Sequence, residues 1–64
     1  MILPTERHQM ILDLLQERGT ISIQELGLLF SVSDMTIHRD LDRLAVAGKL
    51  VKVRGGAALP DTTT

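Results

Sequence analysis

The stretch VSDMTIHRDL, residues 32–41, predicts a helix with one buried side and one side turned to solvent. Ser33 is the expected N-cap, because a serine hydroxyl accepts a hydrogen bond from an unpaired backbone N–H at a helix start. At 100° per residue, Ile37, Leu41 and Leu44 fall within about 60° of one another and form the apolar side. Three side chains lie on the opposite side: Met35, Arg39 and Arg43.

Two further helices are expected upstream of this one. Ile11 and Leu15 recur at helical spacing within residues 5–18, and Gly19 suits the end of that helix. The following segment TISI is short and partly β-branched, which indicates one or two strand residues. Ser22 and Glu25 then have the spacing of a capping box, so a second helix starts there.

This second helix is expected to end near Phe30, and the helix at about 34–47 then follows a tight turn of Ser31 and Val32 and stops at Gly48. The two helices and their turn form a helix-turn-helix. Downstream, LVKV reads as a strand, and two consecutive glycines suit a type I′ hairpin turn. A return strand at 57–59 would complete a β-hairpin, the wing.

The expected fold is therefore small α+β, mainly helical: a winged helix-turn-helix of three helices, a C-terminal hairpin and a short strand between helices one and two. We assign residues 1–59 to this domain and residues 60–64 to the start of a linker or a disordered tail.

Composition narrows the functional classes. The 64 residues contain no cysteine and one aromatic residue, Phe30, so thiolate metal sites and aromatic platforms for single-stranded nucleic acid are disfavoured. No stretch approaches the roughly 20 apolar residues that cross a bilayer, and we expect a cytoplasmic protein without membrane contact. The net charge of −1 is divided unevenly: residues 1–34 sum to −3, residues 35–59 sum to +3, and Asp61 supplies the remaining −1. The basic half can attract phosphate.

The outward side of the third helix is the expected reading surface for double-stranded DNA. An α-helix fits the major groove, where Arg39 can fork onto guanine O6 and N7 and Thr36 can touch a thymine methyl or a phosphate. His38 and Met35 are also in position, and Arg43, one turn on, is expected to meet the DNA backbone. The alternative is intrahelical pairing at i+3, Arg39 with Asp42 and Asp40 with Arg43.

The wing is expected to supply a second contact. Lys52 and Arg54 flank the glycine turn and can grip phosphate or enter the minor groove, although such residues also protect sheet edges from aggregation. Ser22 and Ser33 can offer hydroxyls to phosphate, although capping alone explains them equally well. With two histidines and no cysteine, we expect no metal, no cofactor and no catalysis.

The segments Glu6-Arg7, GTISIQEL, VSDMTIHRDL and GKLVKVRGGA, in this order, resemble the N-terminal DNA-binding domain of DeoR-type bacterial transcriptional regulators over residues 5–59. The resemblance implies a repressor of a sugar or nucleoside catabolic operon. It also implies a C-terminal domain, absent from this chain, that binds a small phosphorylated effector and forms homo-oligomers.

Three departures from the family pattern concern the helix-turn-helix, and one of them is Gly27 in the second helix, where the family usually has alanine. His38 stands where the family usually has arginine, and Ser31 where it usually has a turn glycine. A left-handed serine there costs about 1 kcal/mol or more. A competing hypothesis is a winged-helix protein-protein interaction module without DNA specificity, in which Met35, Val46 and the arginines dock an acidic partner.

Overall fold

The computed structural model describes residues 3–60, and it confirms the winged helix-turn-helix. The elements in chain order are α1 (Pro4–Arg18), β1 (Thr20–Ser22), α2 (Ile23–Phe30), α3 (Asp34–Val46), β2 (Val51–Val53) and β3 (Gly56–Ala58). Helix α1 starts one residue earlier than predicted, and α3 ends one residue earlier than predicted. Of the predicted tail at 60–64, all but Pro60 lies outside the described residues.

A single aliphatic core joins the three helices to the sheet. The buried side of α3 consists, as predicted, of Ile37, Leu41 and Leu44, which are 0%, 0% and 5% exposed. The other elements and the segment before β2 contribute Ile11, Leu15, Ile21, Ile23, Leu26, Leu50 and Ala57. Helix α3 is thereby held by its apolar side, and its opposite side faces solvent.

The three strands form one antiparallel sheet in the order β1-β3-β2. Ser22 pairs with Gly56, and a Cβ on Gly56 would lie 2.1 Å from the carbonyl oxygen of Ile21. Glycine is therefore required for β1 and β3 to approach. The backbone N–H of Ile23 also donates to the carbonyl of Gly55 at 2.8 Å, which fixes the wing turn against the start of α2.

The predicted type I′ turn is wrong. Type I′ needs positive φ at both central residues, but of the two glycines only Gly55 has it, at 77°. Gly56 is the first residue of β3 and pairs with Val53, so Arg54 and Gly55 are the turn residues. Positive φ at the second central residue alone fits a type II turn. The return strand consequently spans 56–58 rather than 57–59.

The cap residues follow the predicted chemistry with one exception. The Ser33 Oγ accepts from the N–H of Thr36 at 3.2 Å, and the Ser22 Oγ accepts from the N–H of Glu25 at 3.0 Å. The capping box at α2 is only half formed, because the Glu25 carboxylate pairs with Arg18 instead of returning to the cap. In the turn between α2 and α3, Ser31 is left-handed with φ 56° and ψ 45°, the strained conformation expected there.

Candidate nucleic-acid interface

The outward face of α3 presents apolar and cationic side chains together. Met35 is 69% exposed and Val46 is 91% exposed, and Arg39 lies exposed between them on the helix. Because the core fixes the opposite side of α3, these side chains cannot turn inward without unpacking the helix. This face combines a forked hydrogen-bond donor with apolar groups that can contact a thymine methyl.

On one flank, α3 and the first turn of α1 enclose a shallow cleft. Thr36, Arg39 and Arg43 line it from α3, together with Arg7 from α1 and Asp40 at its floor. Thr36 is half-buried, and its Oγ1 lies 3.2 Å from the Ser33 Oγ. Three guanidinium groups around one carboxylate leave this flank with a positive excess.

On the other flank, β2 of the wing contacts α3. The Lys52 Nζ donates to Asp42 Oδ1 at 2.8 Å and lies 3.4 Å from His38 Nδ1. A second shallow cleft is lined by His38, Ser22 and Gly55 with neighbouring residues of α2 and α3. The structure thus brings His38 and Lys52 together and places the cap of α2 beside them.

The intrahelical pairs considered from the sequence do not form. Asp40 pairs with Arg7 and His8, and Asp42 pairs with Lys52. Across residues 3–60 there are four ion pairs, and none includes Arg39 or Arg43. Both arginines of α3 therefore keep their donors for another partner.

A buried ionic cluster joins α1 to α3, and sequence reasoning missed it. Arg7 Nε lies 2.5 Å from Asp40 Oδ2, Arg7 Nη2 lies 3.1 Å from Oδ1, and His8 Nε2 lies 2.9 Å from Oδ1. Burial alone would raise the pKa of Asp40, but the hydrogen bonds from Arg7 and His8 outweigh it and hold that pKa below its ordinary value. The hydrogen bond to Asp40 in turn raises the pKa of Arg7.

One signal in the sequence pointed to this cluster. On the helical wheel Asp40 lies only about 40° from Leu44, at the border of the apolar side. A carboxylate at such a border needs a partner from another element, since burial without one is costly.

The remaining predicted contacts lie at the edges of the face. Arg54 is exposed in the wing turn, and the Ser22 and Ser33 hydroxyl oxygens each accept a capping hydrogen bond. A serine O–H can still donate while its oxygen accepts. Within residues 3–60, no three His, Asp or Glu side chains are grouped so that they could hold a metal ion. No helix in the same range is long and apolar enough to cross a bilayer.

Comparison with known proteins assigns this arrangement to a family. The DeoR-like helix-turn-helix domain matches residues 7–63. The chain is 44% identical over 59 residues to the glycerol-3-phosphate regulon repressor of Escherichia coli, covering 92% of this chain and 23% of that protein. It is 39% identical over 62 residues to the HTH-type transcriptional repressor CutR of Bacillus subtilis, covering 97% and 33%.

A third relative is the lactose phosphotransferase system repressor of Lactococcus lactis, 47% identical over 53 residues, with 83% of this chain and 21% of that protein covered. The chain thus spans a third or less of the length of these relatives. No solved structure gives a significant match. The relatives are named as repressors rather than enzymes, and their names give no support to the interaction-module hypothesis. The chain belongs to the DeoR-like helix-turn-helix family of DNA-binding transcriptional regulators.

Proposed function

We propose that this domain binds double-stranded DNA sequence-specifically by inserting α3 into the major groove. The observation that carries the proposal is that Arg39 and Arg43 project from a helix whose opposite side is fully packed, while both neighbouring carboxylates are paired to other elements. Unpaired guanidinium groups on a rigid helix are suited to bidentate recognition of guanine and to phosphate contact.

The direct readers are Arg39 and Thr36 near the N-terminal half of α3. Arg39 donates to guanine O6 and N7, and Thr36 contacts a thymine methyl or a phosphate. Met35 and His38 also contact base edges, and His38 does so from the flank that carries Lys52. Arg43, one turn further along, contacts the backbone and sets the register of the helix.

The wing and the helix caps supply the sequence-independent part of the affinity. Arg54 at the exposed turn and Lys52 in β2 contact phosphate or the adjacent minor groove. Ser22 and Ser33 donate their hydroxyl protons to phosphate oxygens while they continue to accept from the backbone.

The wider role follows from the relatives. Since one of them is named as the repressor of a glycerol-3-phosphate regulon and another as the repressor of a lactose phosphotransferase system, we assign the domain to a cytoplasmic repressor of a sugar or nucleoside catabolic operon. In that protein a C-terminal domain outside this chain forms the homo-oligomer and binds a small-molecule effector.

Selection of duplexes from a random pool tests the proposal. The isolated domain and a dimer forced by a fused coiled coil are both incubated with the pool, and bound sequences are amplified over several rounds. We expect one enriched half-site, with two copies at helical spacing for the dimer. If neither form enriches any sequence, sequence-specific binding is rejected. If Arg39→Ala enriches the same site as the wild type, Arg39 is rejected as a base-reading residue.

A further inference from the structure

We propose that Arg7 is a positioning residue for DNA binding: by occupying the carboxylate of Asp40, it keeps Arg43 of α3 available for the DNA backbone. The inference rests on the DNA-binding function proposed above. It assigns a role in DNA binding to a side chain of α1, an element outside the reading helix and the wing.

The geometry of the pair is that of a dedicated partner. The Arg7 guanidinium reaches both oxygens of Asp40, at 2.5 and 3.1 Å, and His8 adds a third hydrogen bond at 2.9 Å. The side chains of Arg7 and Asp40 are 11% and 7% exposed. A carboxylate offers about four acceptor positions, so three of them are filled from α1.

Arg43 is the competitor for this carboxylate. Asp40 and Arg43 stand three residues apart on α3, a spacing at which an acidic residue followed by a basic one normally pairs. Both line the cleft that Arg7 closes from the α1 side. In the structure Asp40 pairs with Arg7 and His8, and Arg43 joins no ion pair within residues 3–60.

Removing Arg7 leaves a buried carboxylate without its main cation, and Arg43, three residues further along α3 and in the same cleft, is the replacement. That arginine would then turn toward the cleft floor and leave the DNA-facing side. A loss of one cation in α1 thus becomes the loss of a backbone contact made by α3.

The test compares Arg7→Met with the double variant Arg7→Met/Asp40→Asn, measuring affinity for the selected duplex per folded molecule. We expect Arg7→Met to weaken binding by about tenfold, the scale of one lost phosphate contact. The double variant removes the competing carboxylate, so its affinity should return to within about threefold of the wild type.

A matched pair elsewhere controls for net charge. Arg18→Met and Arg18→Met/Glu25→Gln make the same charge changes in an ion pair whose two residues are not among the proposed DNA contacts. If Arg18→Met weakens binding as much as Arg7→Met, the effect is general electrostatics and the inference is overturned. If the double variant at Arg7 and Asp40 binds as weakly as Arg7→Met, Arg7 either contacts DNA itself or only supports the fold, which also overturns it.

A second measurement needs no DNA and therefore separates this inference from the proposed function. Carboxyl ¹³C NMR follows the titration of Asp40 with and without Arg43→Gln. We expect Arg43→Gln to leave the Asp40 pKa unchanged in the wild type and to raise it in the Arg7→Met background. An unchanged pKa in both backgrounds would overturn the inference even if DNA binding stands. Arg7→Lys, which keeps the charge but loses the fork, replaces Arg7→Met if that variant does not fold, and smaller effects in the same directions are expected.

Discussion

Lys52 of the wing donates to Asp42 of α3, with 2.8 Å between Nζ and Oδ1. This contact mirrors the pair of Arg7 and Asp40 on the opposite flank. Asp40 and Asp42 of the reading helix are thus each paired with a cation from a different element. The two flanks differ in burial, since Lys52 and Asp42 keep 33% and 62% of their side-chain exposure. Exposed pairs of this kind contribute only about 0 to 1 kcal/mol to folding stability. Changing Lys52 is therefore expected to affect DNA binding more than stability.

Lys52→Ala should weaken binding to all duplexes by similar factors and reduce the salt slope by up to about one. A phosphate contact carries no sequence information, so the preferred site should not change. Affinities for the selected and a scrambled duplex, measured over a range of salt concentrations, check this. Asp42→Asn releases the same ammonium group and should strengthen binding to all duplexes. If Lys52→Ala instead weakened binding to the preferred duplex alone, Lys52 would contact bases rather than phosphate.

Arg39→Ala should abolish most of the preference between the selected site and its guanine-substituted variant. One bidentate contact to guanine contributes about 1–3 kcal/mol of discrimination. Arg39 is exposed and takes part in no ion pair of residues 3–60. The midpoint of thermal unfolding of the Arg39→Ala variant should therefore stay close to that of the wild type. Calorimetry alongside the binding curves separates the two effects, and a large fall in the midpoint would indicate a structural role.

Helical periodicity explains why the reading helix was predictable. Ile37, Leu41 and Leu44 repeat over about two turns, and that pattern fixes which side chains of α3 face outward. Capping chemistry is equally local, so Ser22 and Ser33 were assigned correctly.

The strand at β1 and the hairpin were predicted, but the pairing of β1 with β3 and the ionic cluster depend on contacts between distant residues, which a local pattern does not contain. Strand β1 has three residues, too few for a periodic signal, and its partner β3 lies more than thirty residues away. Arg7 and Asp40 are separated by 33 positions. The sequence spacing suggested Arg43 as the partner of Asp40. The observed partner is Arg7, which reaches Asp40 because α1 packs beside α3.

Asp40 should make folding stability depend on acidity. Its pKa is held below the ordinary 3.8 in the folded state, so the unfolded chain binds the proton more readily. The stabilisation is therefore present above about pH 5 and is lost as pH falls through 3.8 toward the lowered folded value. Denaturant unfolding at several pH values should show a shallower acid loss for Asp40→Asn than for the wild type. Asp13→Asn, an exposed carboxylate on α1, is the control, and an equal reduction there would remove Asp40 from the explanation.

Ser31→Gly should stabilise the domain by up to about 1 kcal/mol, because Ser31 is left-handed at φ 56° and glycine adopts that conformation without the Cβ penalty. For a domain of this size the midpoint should rise by roughly 4–8 °C per kcal/mol. Ser31→Ala keeps the Cβ and should give no comparable gain. Ser33→Ala, which removes the cap of α3, should instead cost about 1 kcal/mol. A gain for Ser31→Ala equal to that for glycine would assign the effect to the hydroxyl.

Gly56→Ala should destabilise the domain more than Gly55→Ala, although the two glycines are adjacent. At Gly56 the added Cβ meets backbone, 2.1 Å from the Ile21 oxygen and 2.9 Å from the Ser22 Cα, so β1 and β3 must separate. At Gly55 the space is open, and only the positive φ of 77° opposes alanine, at a cost of about 1–2 kcal/mol. Gly48→Ala shares open space and a φ of 78°, so it should match Gly55→Ala. Thermal unfolding ranks the three variants, and amide exchange at the β1–β3 pairs should accelerate in Gly56→Ala alone. Equal destabilisation in all three would mean that β1 and β3 can separate at Gly56 without a further loss of stability. The close approach at Gly56 would then not hold the wing.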